Sequence, residues 1–119
     1  MIQASCHCGN VTIEMAREPE NLTSCNCSIC NRLGALWSYY KLSEVKVECK
    51  EPTKTYCQGD KYLNVHHCPN CGCTTHYTPT EKNDQDRMAV NYRMVDFKLM
   101  EKIPVRRFDG ADTWAFIDD

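Results

Sequence analysis

The chain has 119 residues, 14 Lys and Arg against 16 Asp and Glu, a formal net charge of −2 and a mean hydropathy of −0.56. That length predicts one domain spanning residues 1–119, and the charge excludes the basic stripe of a nucleic-acid-binding protein. No apolar run approaches the ~20 residues that cross a bilayer, so no membrane partner is expected.

From the N-terminus, "MIQASCHCGN" carries neither a basic n-region nor an apolar h-region, so a cytoplasmic protein with reduced thiols is expected. Three N-x-[ST] matches, at Asn10, Asn21 and Asn26, then carry no meaning as glycosylation sites. "VTIEM" (11–15) places Val11, Ile13 and Met15 on one face, the period-2 pattern of a half-buried strand. "SICNRLG" fits one helical turn ending at Gly34. Strands are predicted over 36–42, 45–49, 54–57 and 62–67, then over 74–78, 88–92 and 104–108. The polar stretch 79–87 reads as a surface loop, and "DFKLMEK" (96–102) as a second short helix. Many short strands with little helix predict a mainly β fold, a sandwich or small barrel with short helical turns.

Ten cysteines are the strongest compositional signal, and in a reducing compartment they favour metal over disulfide. Cys68 and Cys71 form C-x-x-C followed by Gly72, the zinc-knuckle pattern. The two-residue spacer turns both sulfurs toward one ion, and the glycine permits a tight turn whose N–H groups point at thiolates. A knuckle supplies half a tetrahedron, and Cys6-x-Cys8 is the right size for the other half. Cys6, Cys8, Cys68 and Cys71 therefore make a closed, structural zinc site. Cys25, Cys27 and Cys30 remain as C-x-C-x-x-C, a set of three. Three protein ligands and one open position is the arrangement of catalytic zinc, the open position taking water or a substrate thiol. Cys49, Cys57, Cys73 or one of His7, His66, His67 and His76 could instead close this second site. Cys49 and Cys57, on strand-like segments, read as small buried hydrophobes. With two zinc ions and seven thiolates the net charge would be about −5, poorly suited to polyanions.

"SCHCGNVTIE", "CNCSICNRLGALW", "CPNCGC", "VNYRMVD" and "RRFDGADTW" follow one another in this order. From about Ser5 to Trp114 the sequence resembles the glutathione-dependent formaldehyde-activating enzyme family, which includes centromere-protein-V-like proteins. The resemblance implies a zinc-bound β-sandwich of the tent-like type. It implies a structural zinc on Cys6, Cys8, Cys68 and Cys71 and a catalytic zinc on Cys25, Cys27 and Cys30. It also implies carbon–sulfur lyase or synthase chemistry, joining glutathione to formaldehyde as S-hydroxymethylglutathione or the reverse. Two positions depart from the family pattern: Asn31 follows the third cluster cysteine, where a basic residue is common, and Cys73 follows Gly72 in place of Thr or Ser.

The expected partners are thus a small thiol, glutathione or similar, and an aldehyde. Arg93 is the candidate for binding an anionic substrate group, because Asn91 and Arg93 in "VNYR" would share one face of a strand. Two other readings stand beside the enzyme. One is a zinc-braced interaction module displaying Trp37, Tyr39, Tyr40 or Trp114, and the other a redox- or metal-responsive protein using Cys73.

Overall fold

The computed structural model describes residues 1–57, 59 and 61–117. Its strands are β1 (Ile2–Ser5), β2 (Val11–Met15), β3 (Leu22–Cys25), β4 (Trp37–Tyr40), β5 (Val45–Cys49) and β6 (Lys54–Tyr56). They continue as β7 (Leu63–His67), β8 (Thr74–Pro79), β9 (Met88–Asn91), β10 (Val105–Asp109) and β11 (Ala115–Phe116). Two short helices, α1 (Ser28–Leu33) and α2 (Phe97–Met100), interrupt them. The mainly β expectation holds. One sheet has three strands in the order β1-β2-β5, and the other has eight in the order β11-β10-β3-β4-β9-β8-β7-β6.

The alternation read in "VTIEM" becomes the packing between these sheets. Val11, Ile13 and Met15 are fully buried and pack in one cluster with Leu22, Tyr40, Met88 and Val90 of the larger sheet. Each such side chain contributes on the order of 2 kcal/mol by leaving water. The other face of the larger sheet carries a second cluster, Trp37, Val65, Tyr77 and Ala89, with Ile29, Cys30 and Leu33 of α1 packed over it. The pairings Trp37↔Asn91, Tyr39↔Ala89 and Tyr77↔Ala89 keep these side chains on one face, because direction alternates along each strand. Thr23 pairs with Trp37, so Thr23 and Cys25 share that face.

Three expectations change. The segment 88–92 stops as a strand at Asn91, and Tyr92, Arg93 and Met94 form a 3-10 turn. The cause is local: the Asn91 side-chain oxygen accepts from the Arg93 N–H at 3.2 Å, which caps the turn and ends the ladder. Cys49 is exposed and Cys57 half-buried, so neither is a core residue. Cys49 ends β5 and Cys57 follows β6, both edge strands, where only one neighbouring strand is present to cover them. Short strands β1, β3 and β11 complete sheets where no alternation was read.

Candidate metal centres

The loop after β1 and the turn between β7 and β8 fold as two facing knuckles. In the first, Cys6 N–H donates to Val11 O at 3.0 Å and Gly9 N–H to Cys6 O at 3.2 Å. In the second, Cys68 N–H donates to Cys73 O and Gly72 N–H to Cys68 O, both at 3.0 Å. Gly72 has φ +78°, the left-handed conformation that the knuckle needs and that a side chain disfavours. The four sulfurs of Cys6, Cys8, Cys68 and Cys71 all lie within 4.8 Å of one another. Cys6 Sγ is 3.7 Å from Cys8 Sγ, and Cys8 Sγ is 3.6 Å from Cys68 Sγ. Tetrahedral zinc with Zn–S bonds of ~2.3 Å has S···S edges of ~3.8 Å, so the set fits that ion.

Donors around the knuckles suit thiolates. Val11 N–H points at Cys6 Sγ at 3.2 Å, Asn70 N–H at Cys68 Sγ at 3.4 Å, and the Asn10 amide at Cys68 Sγ at 3.6 Å. Backbone N–H groups of Cys73 and Cys8 hold the Cys71 thiol down to about 5. Burial works against ionisation of Cys68, but the N–H groups of Cys71 and Asn70 outweigh it and the thiol falls below its ordinary value. Asn10 also locks the site to the next loop, accepting from Glu51 N–H at 2.7 Å and donating to Glu51 O at 3.0 Å.

Cys25, Cys27 and Cys30 form the second set, again with sulfurs within 4.8 Å. Cys25 ends β3, Cys27 is the N-cap of α1 and Cys30 lies in its first turn. Gly34 closes that helix in the left-handed region, φ +65°, with its N–H on Cys30 O at 3.0 Å. Each sulfur receives at least one N–H: Cys27 N–H to Cys25 at 3.5 Å, Cys30 N–H to Cys27 at 3.5 Å, and the Trp37 indole to Cys30 at 3.4 Å. Burial raises the Cys30 and Cys25 thiols. At Cys27 burial is outweighed by the N–H groups of Cys30 and Ile29, and the thiol is lowered. Among the described residues no fourth Cys, His, Asp or Glu joins these three. Cys73 packs into the main core near Cys71, and His66 and His76 stack on each other at 4.1 Å. His67 lines a cleft with Ser28, Ile29, Arg32 and Leu33 of α1 and does not join the three sulfurs.

The segment after β10 covers the second set. Gly110 sits so close that a Cβ there would lie 2.6 Å from Cys25 Sγ and 3.3 Å from Cys27 Cβ. Asn26, between the first two cysteines, donates to Asp109 Oδ1 at 3.1 Å and accepts from Ala111 N–H at 3.0 Å. Trp114 follows with φ +57°, its ring edge-on to Phe108 and 72% exposed. Arg93 is exposed, and its Nε donates to Gly34 O at 2.6 Å, tying the 3-10 turn to the end of α1. The covering glycine was in plain sight in "FDGADTW", but its contact is made across β10 and β3 and no spacing rule reveals it.

The family model for the glutathione-dependent formaldehyde-activating enzyme matches residues 1–106. A crystal structure of a Rhodobacter sphaeroides protein superposes with a TM-score of 0.70 at 27% identity, covering 87% of this chain and 99% of that one. No curated protein matches the sequence. With both cysteine sets inside the matched span, the chain belongs to the glutathione-dependent formaldehyde-activating enzyme family.

Proposed function

We propose that the protein is a zinc-dependent carbon–sulfur lyase or synthase acting on a thiol–aldehyde adduct such as S-hydroxymethylglutathione. In the synthetic direction the thiol sulfur bonds to the carbonyl carbon, the C=O π pair moves to oxygen, and the thiol proton ends on that oxygen. The reverse breaks the C–S bond and returns the proton to sulfur. Two zinc ions per chain are assigned: Cys6, Cys8, Cys68 and Cys71 hold the structural one, and Cys25, Cys27 and Cys30 the catalytic one. Zinc at an incomplete ligand set supplies Lewis acidity that lowers the pKa of a thiol or water.

The single observation carrying this reading is the second set itself, three convergent sulfurs each met by an N–H and no fourth protein donor among the described residues. The chain's own part is to hold those sulfurs as a rigid tripod. Trp37 pins Cys30 to the sheet, Gly34 and Arg93 fix the end of α1, and Gly110 lies close against the Cys25 sulfur. The test is Cys27→Ser: zinc content should fall from about two per chain toward one, with the melting curve still cooperative, and aldehyde-dependent thiol consumption should vanish. Unfolding of the variant would instead make the second centre structural.

A further inference from the structure

We propose that Arg87, laid across the ring of Tyr39, binds the carboxylate of the thiol substrate. This rests on the thiol–aldehyde reading above and names the recognition half of the same site. Arg87 precedes Ala89 by two residues and continues the face that carries Trp37, Tyr39 and Tyr77. Its Cζ stands 4.0 Å above the Tyr39 centroid. Thr23, paired with Trp37, and Tyr77, paired with Ala89 and edge-on to the Trp37 ring at 4.8 Å, lie on the same face beside Tyr39. Metal set, Trp37, Tyr39 and Arg87 thus form one continuous strip.

One step along this strip has the length of a small peptide thiol. Trp37, whose indole touches Cys30, and Tyr39 are two residues apart on β4, roughly 7 Å. In a tripeptide, a terminal carboxylate lies within one or two residues of the thiol-bearing one, roughly 4–7 Å.

Arg87 also has donor capacity to spare beyond its neighbour Tyr77. Arg17, stacked on Tyr40, is already paired with Glu44 at 2.9 Å. Arg106 lies over Phe116, on the far side of β10 from Tyr39. Arg93 spends its Nε on Gly34. Arg87 has no carboxylate partner among the described residues, and the neighbouring Asp86 accepts from Leu42 N–H at 2.9 Å instead. Stacking on an aromatic ring fixes the plane of a guanidinium, and with five N–H donors Arg87 can meet Tyr77 and still offer N–H groups to a carboxylate.

The test uses zinc-loaded protein and calorimetric titration with S-methylglutathione, which has both carboxylates but no free thiol, and with its dimethyl ester. Arg87→Gln should weaken S-methylglutathione binding roughly ten- to a hundredfold, with Arg87→Lys in between, while the ester binds wild type and variant alike. Equal affinity of wild type and Arg87→Gln for S-methylglutathione overturns the proposal. So does failure of the wild type to bind it, or an equal loss of ester binding in the variant. Because neither ligand can react, these results stand apart from any failure to find thiol consumption, which would sink the proposed function alone.

Discussion

Gly110 shows how much a single hydrogen can matter at the second centre. Its Cα hydrogen occupies the place where a methyl group would meet Cys25 Sγ at 2.6 Å and Cys27 Cβ at 3.3 Å. Both neighbours belong to the loop that shapes the sulfur tripod, so neither can give way without changing it. Gly110→Ala should therefore cost about 1–3 kcal/mol of stability by overpacking and lower second-site metal affinity at least about tenfold. Competition with a chromophoric chelator reads the affinity, and an unchanged affinity would show that the loop accommodates the methyl. At this scale the cysteines were legible because one ion imposes short, fixed spacings on its ligands. Arg87, Thr23 and Gly110 were not, since their neighbours arrive from other strands. Arg93 was singled out from a strand face that the Asn91 cap dissolves.

Among the elements, the hairpin of β7 and β8 carries a titration that the fold forbids. His66 and His76 sit opposite each other, rings 4.1 Å apart and nearly parallel. Both ring nitrogens of His66 meet hydroxyls, Thr53 and Thr78, each at 2.8 Å, and His76 Nδ1 meets Thr75 Oγ1 at 2.7 Å. Burial, with His66 beside it, pushes His76 down to about 3 from an ordinary value of 6.5. Folded His76 stays neutral while the unfolded chain takes up a proton as pH drops through about 6.5. The unfolded state then binds more protons, so stability is whole above that pH and falls between about 6.5 and 3. At pH 5 the loss from this one group is about 2 kcal/mol. His76→Gln should flatten the dependence of denaturation midpoint on pH between 7 and 5 relative to wild type, whatever the metal sites contribute to both. Parallel curves would place the acid sensitivity elsewhere. Elements with clean alternation, such as β2 and β5, were read from sequence with their ends intact. Strand β3 was missed because "LTSC" has buried Leu22 and Thr23 side by side, one for each face of a sheet covered on both sides.

Across the whole molecule, the two cysteine sets join different lengths of chain. Cys25, Cys27 and Cys30 span a few residues at one end of α1, so loss of an ion held there should leave the sheets in place. Cys8 and Cys68 are 60 residues apart, and their site ties the three-stranded sheet to the turn of β7 and β8. Cys6 and Cys68 are themselves members of the main core cluster, so the closed site and the sandwich interior are one packed unit. The binding energy of such an ion is folding energy, apparent values being on the order of 10 kcal/mol, comparable with the net stability of a domain of this size. Removing zinc stepwise with a chelator at neutral pH should therefore give two phases. The first releases about one ion per chain and abolishes activity with the far-ultraviolet circular dichroism unchanged. The second releases the remaining ion together with the β signal, and Cys68→Ser should show that second state from the start. Release of both ions in a single step with unfolding would mean that the tripod is as deeply wired into the fold as the closed site, and the division between structural and catalytic centres would have to be abandoned.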